Sequence, residues 1–187
     1  MATKRALVIG GAACIWTDAE AALDLCEFDA VIAVNDVGAA WPGPLAAWVS
    51  YHQDNFPRWI EQREANGFPK AETWGHDTWL KKYPTRPVYA DRTVVSTFPD
   101  QRDSGSSGLF AVKVALIDFG FEQVVCAGVP MDPQNAHFFN NHAWRGAIHL
   151  RRGWDQAMPH IRGRVRSVSG WTRKLLGAPT PEWLGQS

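Results

Sequence analysis

Cysteine is scarce: 187 residues hold three, Cys14, Cys26 and Cys126, each in an apolar stretch and none in a CxxC pair. That excludes a disulfide framework and a cysteine-based zinc module, and it fits a reduced, cytoplasmic chain. An excess of one charge is lacking too, because 19 basic side chains meet 19 acidic ones. Such a chain makes a poor general nucleic-acid coat or polybasic membrane binder. No apolar run reaches the roughly 20 residues that span a bilayer. Met1 to Arg5 lead straight into a short apolar run rather than a signal-peptide core.

Several catalytic signatures are missing as well. Without G-x-x-x-x-G-K-S/T there is no P-loop, and without G-x-S-x-G no hydrolase elbow. HExxH, a Cys/His cluster and an Asp-x-Asp pair are all absent, so no zinc site or metal clamp of a nucleotide-sugar enzyme is spelled out. The first glycine turn lacks the full GxGxxG, and Asn35 stands where an acidic ribose ligand usually does, with Asp36 beside it. Hydride transfer from a dinucleotide is therefore poorly supported.

What is present begins with Arg5-Ala-Leu-Val-Ile-Gly10, a nearly continuous apolar run that suits a strand buried on both faces. Gly10-Gly11-Ala12-Ala13 makes a small-residue turn. Thr17 is placed to cap a helix over Asp18 to Cys26, with Asp18 and Glu20 in its first turn. Asp29 to Asn35 reads as a second buried strand, which completes a right-handed βαβ unit. Further strands are expected at Ala46 to Tyr51, Gln123 to Gly128 and Arg164 to Ser169, with a short one near Thr93 to Thr97. Helices are expected at Asn55 to Asn66, Leu109 to Phe119, Trp144 to His160 and Thr172 to Leu176. Residues 68–101, broken by Pro69, Pro84, Pro87 and Pro99, read as an irregular, Trp-rich excursion over the sheet. The expectation is one α/β domain over residues 1–187: a Rossmann-like, mostly parallel sheet with helices on both faces.

In such a sheet the Gly10–Ala13 turn, the Asn35-Asp36 strand end and the Ser104–Gly108 helix start meet at one edge. Unpaired N–H groups there suit an anion. Ser106 and Ser107 add hydroxyls, and Asn35 adds an amide that can read a ribose or a base. Gly10, Gly11, Ala12, Asn35, Asp36, Ser106, Ser107, Gly108, Gly128 and Asp132 are therefore the expected nucleotide-binding residues. His137 and His142 follow on a polar loop, where a histidine can serve as general base. Asp132 is a possible orienting partner of His137, and Arg102 and Arg145 are the expected helpers for a phosphate leaving group. From Arg145 onward eight basic residues face only Asp155 and Glu182. They read either as a solvated face or as a positive wall toward a phosphorylated ligand. Ten tryptophans supply core and, for some, a stacking surface. On a neutral exterior they would suit a homodimer.

The same motifs resemble small Rossmann-like bacterial sialyltransferases. Gly10-Gly11, Asn35-Asp36, Ser106-Ser107-Gly108, Ala127-Gly128-Val129 and the closing Val165-Arg-Ser-Val-Ser-Gly-Trp-Thr-Arg-Lys-Leu-Leu-Gly177 carry the likeness. The turn Gly10-Gly-Ala-Ala-Cys14 and the loop Gly128-Val-Pro-Met-Asp132 differ from that family's usual forms. The resemblance implies a glycosyltransferase that works without metal. A nucleotide-sugar serves as substrate rather than cofactor, and His137 or His142 deprotonates an unidentified acceptor hydroxyl. Two other readings stand beside it: a pyrophosphokinase-like transferase that needs Mg²⁺, and a non-catalytic nucleotide- or nucleic-acid-binding module.

Overall fold

The computed structural model describes residues 3–185. Its elements run β1 (Arg5–Ile9), α1 (Ile15–Leu25), β2 (Ala30–Val34), α2 (Val37–Ala40), β3 (Ala47–Val49), α3 (Phe56–Ala65), β4 (Thr73–His76), α4 (Trp79–Lys82) and β5 (Arg92–Val94). They continue with α5 (Ser107–Lys113), β6 (Gln123–Ala127), β7 (Ala136–His137), β8 (Asn140–Ala143), α6 (Ala147–Ile161), β9 (Val165–Ser167) and α7 (Gly170–Leu176). Seven strands form one sheet in the order β5-β4-β3-β2-β1-β6-β9, and every pairing in it is parallel. The chain builds outward from β1 to β5, then returns to lay β6 on the other side of β1. This reversal leaves a crevice at the carboxyl ends of β1 and β6. No helix among the described residues is long and apolar enough to cross a membrane.

The apolar runs form central strands because each must bury both faces. Ala6 and Val8 of β1 point into a core shared with α5, α6 and α7. Leu7 and Ile9 point into the opposite core with α1, α2 and α3. All four are fully buried, and each Val, Leu or Ile so buried contributes about 1.5–3 kcal/mol. Trp48 and Trp154, also fully inside, account for part of the tryptophan excess as core.

The expected elements recur with differences, and the helix expected from Trp144 begins at Ala147. Thr17 lies inside α1, whose cap position is Cys14; a β-branched residue is tolerated there because the helix is held by its buried face. Leu109 to Phe119 is not one regular helix. Ser106 caps α5 by accepting the Leu109 N–H at 3.3 Å, and the rod loosens into a π-helical turn over Val114–Asp118. Residues 68–101 are less irregular than expected: β5 lies close to the short strand expected at Thr93 to Thr97, but the segment also supplies β4 beside it in the sheet, and β4 is buried throughout despite its Thr-Trp-Gly-His sequence.

Candidate functional site

A cleft of about 1000 Å³ opens along the carboxyl edge of the sheet, from the Gly10–Ala12 turn to α4. Of the expected residues, Gly10, Gly11, Ala12, Asn35, Ser106, Ser107, Gly108, Gly128, Asp132, Arg102, His137 and His142 all line it. Asp36 stands just behind the lining, beside His137. Arg145 is solvent-exposed and outside the lining.

The glycines at the crevice are required by packing. A Cβ on Gly10 would meet the Gly128 carbonyl at 2.5 Å, and one on Gly128 would meet the Gly10 carbonyl at 2.4 Å. The two backbones cross in contact, and Gly128 also takes φ +66°, which favours glycine. Their N–H groups are already used: Gly10 donates to Ala127 at 2.8 Å, Ala12 to Gly128 at 3.2 Å, and Gly128 to the Asp18 carboxylate at 2.9 Å. The expectation that this turn presents several free N–H groups is thus narrowed to Gly11. Asp18, 5% exposed, also accepts from the Ser169 hydroxyl at 2.5 Å. It therefore ties α1 to β6 and α7, a role that goes beyond a first-turn dipole partner. Cys14 donates to the same carboxylate. Burial pushes its thiol up to about 11, which makes it a poor nucleophile.

Asn35 sits at φ 55°, a left-handed conformation that asparagine tolerates. Trp48 Nε1 donates to its carbonyl. Its side-chain orientation follows from Ser50, which is fully buried. The Ser50 oxygen accepts the His52 N–H at 2.8 Å, so its hydrogen turns to Asn35 Oδ1 at 2.7 Å. The amide nitrogen is left as a donor on the cleft wall, with no partner among the described residues. The two serines follow the same logic. Ser106 Oγ accepts from Leu109 N–H and from Trp154 Nε1 at 3.2 Å, and Ser107 Oγ accepts the Tyr51 N–H at 3.3 Å. Ser106 therefore keeps only a hydrogen to offer, and Ser107 a hydrogen and one lone pair. Asn35 and the two serines thus set three neutral donors on this end of the cleft.

His137 and His142 lie on the β7–β8 hairpin, where a polar loop was expected. The hairpin is fastened to the first turn: His137 bridges Ala12, and the Phe138 N–H donates to Gly11 at 3.0 Å. His137 Nε2 lies 3.1 Å from Asp36 Oδ1, an ion-pair distance without hydrogen-bond alignment, because Asp36 Oδ1 and His137 Nδ1 are both buried and unpartnered. The histidine's carboxylate is therefore Asp36. Asp132, the other candidate, pairs with Arg151 at 3.1 Å. Gly11 makes room for the ring, since a Cβ there would come within 2.5 Å of His137 Nε2 and 3.1 Å of Asp36 Oδ1. Gly11→Ala should therefore drive the ring off Asp36 at a cost of about 1–3 kcal/mol. Urea unfolding and the His137 ring resonances would register it; unmoved resonances would show that the contact is loose.

The far end of the cleft was not singled out from sequence. Tyr51, His76, Trp79, Lys82 and Tyr83 line it. His76 is 6% exposed, and its Nδ1 lies 2.7 Å from Thr78 Oγ1. Burial holds its ionisation below the ordinary histidine value, so the ring is neutral near pH 7. Burial pushes the Tyr51 hydroxyl up to about 12, which leaves it a hydrogen-bonding phenol. A run of Thr, Trp, Gly and His has no strand periodicity, so only the position of Tyr51-His52 after β3 hinted at this wall.

The basic tail does not form a continuous wall. Arg151 donates to the Met131 carbonyl and lies over Trp171, Arg152 faces Asp103, Arg164 donates to Phe121, and Arg166 donates to Leu176 and lies over Trp183. Most of these guanidinium groups close loops. Among the described residues no three His, Cys, Asp or Glu side chains gather as a cation site. No family model, no curated protein and no solved structure matches the chain.

Proposed function

We propose that the chain is a nucleotide-sugar-dependent glycosyltransferase acting without a metal. The observation that carries this is the His137–Asp36 couple, with its two orphaned buried atoms, at the topological reversal of a parallel sheet beside three neutral donors. Buried polar atoms without partners are rare and call for a functional reason. Asn35, Ser106 and Ser107 supply hydrogens to a group that only accepts, as phosphate oxygens do. The cleft's volume stands at the top of the roughly 300–1,000 Å³ range of small-molecule sites, which leaves space for a donor and an acceptor together.

In this reading the acceptor oxygen attacks the anomeric carbon and its proton passes to the His137–Asp36 couple. The bond from the anomeric carbon to the phosphate oxygen breaks, and its electron pair leaves on the nucleotide. The donors Asn35, Ser106 and Ser107, with Arg102, a residue of the cleft lining, stabilise the charge that collects there. Asp36 orients the ring and offsets the positive charge it gains. Arg145, exposed and away from the lining, has no part.

Thermal-shift measurements across nucleotides and nucleotide-sugars, with and without EDTA, test the reading. A ligand at about 100 times its Kd adds about 2.7 kcal/mol, or roughly 5–10 °C at this size. The expected result is a shift that survives EDTA. A shift abolished by EDTA would favour a metal-dependent nucleotide transferase, and no shift with any nucleotide would remove the donor-site assignment.

A further inference from the structure

A second reactive pair stands at the far end of the cleft, away from His137. β4 lies three strands from β1 in the sheet, roughly 14 Å away at about 4.8 Å per strand. His76 ends that strand, and its Nδ1 lies 2.7 Å from the Thr78 hydroxyl oxygen. The ring also makes a hydrogen bond to the Tyr51 backbone, one that favours the charged ring. A ring that gains from such a bond is donating, so the Tyr51 carbonyl accepts. With Nδ1 turned to Thr78, the donated hydrogen sits on Nε2. Nδ1 is then an acceptor, and the Thr78 hydrogen points at it.

The Thr78 oxygen is free to react. Thr78 occupies the N-cap position of α4, where a threonine hydroxyl ordinarily accepts a backbone N–H of the first turn. Here it accepts none. Its lone pairs have no partner among the described residues, and the residue is exposed on the cleft lining. His76 is buried instead, with the Tyr51 and Trp79 rings at 5.3 and 5.9 Å from its own. Packing therefore holds the base against the hydroxyl. A hydroxyl, a neutral imidazole that can take its proton and a third group that orients the imidazole are the parts of an activated nucleophile. The surroundings favour a carbonyl electrophile over a phosphoryl group. Asp54 and Asp77 line the same wall, and Arg86 is occupied by Asp54 at 3.3 Å. Lys82, one turn after Thr78 along α4, is left as the ammonium of this wall. One cation matches the single charge that an ester oxygen develops on attack. It falls short of the clamp that phosphoryl transfer needs. Val95, 56% exposed on the lining, offers apolar contact to an acyl group.

We propose that Thr78 and His76 form an acyl-transfer centre that takes carboxylic esters, a second activity of the cleft. Thr78 Oγ1 attacks the ester carbonyl carbon, and its proton passes to His76 Nδ1. The bond from that carbon to the leaving oxygen then breaks. Its electron pair leaves on the alcohol oxygen, which takes the proton back from Nδ1. Water repeats the sequence on the Thr78 ester, releasing the acid and restoring the hydroxyl. Asp77 stabilises the imidazolium formed in between, and Lys82 offsets the charge on the carbonyl oxygen. The centre uses neither His137 nor Asp36, so it holds or fails independently of the transferase reading.

The test uses the full chain and p-nitrophenyl acetate, following the release of p-nitrophenol and locating the acetyl group by peptide mass mapping. The expected result is release above the buffer rate, with the acetyl group on Thr78. Phenylmethylsulfonyl fluoride, whose adduct is not turned over, should mark the same oxygen and stop the release. Thr78→Val keeps the shape of an exposed side chain, and it should abolish the adduct and the release together. Thr78→Ser keeps the hydroxyl and should retain both. His76→Gln should slow acylation about 10²–10⁴-fold, the range removed with a general base. Urea unfolding checks that this buried change leaves the fold intact, and the Thr78 variants decide the matter if it does not. Acetyl groups on lysines or the N-terminal amine, with Thr78 unmodified, would overturn the proposal. So would release unchanged in Thr78→Val, or a folded His76→Gln acylated at the parent rate.

Discussion

Arg63→Met should lower the stability of the fold by about 3–5 kcal/mol. The side chain is 2% exposed and has no carboxylate partner; its guanidinium instead closes a loop. Nε donates to the Pro69 carbonyl at 2.6 Å, Nη1 to Gly38 and Trp41 at 2.6 Å each, and Nη2 to Gly43 at 2.7 Å. Burial lowers the ionisation of the group, so methionine would remove one desolvated charge. Against that gain stand four carbonyls that lose their donor together, and the Gly38 carbonyl lies where water does not reach. The second effect wins because one planar fork serves four acceptors from two chain segments, 38–43 and Pro69. Lysine, a point charge with no fork, should recover less than half of the loss. A domain of this size has about 5–15 kcal/mol in total, so the shift in the urea midpoint would be large. A midpoint within about 0.5 kcal/mol of the parent protein, the range of ordinary surface changes, would show that the loop holds itself. The consequence reaches the cleft: Gly38 lies within α2, Trp41 is at its C-terminal cap and Asp36 at its N-terminal cap. Loosening the Arg63 clamp should free Asp36 before the sheet itself gives way.

The central sheet was legible because its strands announce themselves physically. Arg5 to Ile9, Ala30 to Val34 and Gln123 to Ala127 are apolar on both faces, and only a parallel strand covered on both sides needs that pattern. The glycines that end them could be read as turns, but not as a mutual crossing. The contact between Gly10 and Gly128 joins residues 118 apart and leaves no local trace. β4 was illegible for the opposite reason: Thr73, Gly75 and His76 are buried by their neighbours, and Gly75 lies flat against the Gln53 amide. Part of the site could be seen in advance, since Asn35, the two serines and His137 share the sheet's carboxyl edge. Their roles could not. Which way the Asn35 amide points depends on His52 and Ser50, and the carboxylate facing His137 comes from Asp36, 101 positions earlier, rather than from nearby Asp132. The basic tail misled because composition counts charges and cannot count the carbonyls they meet.

His137→Ala should lower turnover by about 10²–10⁴-fold, the range removed with a general base, while nucleotide affinity stays within about twofold because the donors Asn35, Ser106 and Ser107 are untouched. The ring lies beside the cleft, packed on Gly11, so truncation leaves a gap at a hairpin edge and not a core cavity. The fold should survive, and urea unfolding checks that it does. Asp36→Asn keeps the shape beside Nε2 and removes the charge. If Asp36 acts only through the imidazole, it should cost turnover in the parent protein and nothing further in His137→Ala, because groups that act as one unit are non-additive. A purely structural Asp36 would give the opposite pattern, with the two losses adding on the logarithmic scale. Turnover undiminished in His137→Ala would take His137 out of the chemistry. It would leave His142, exposed on the next strand of the same hairpin, as the remaining histidine on that side of the cleft.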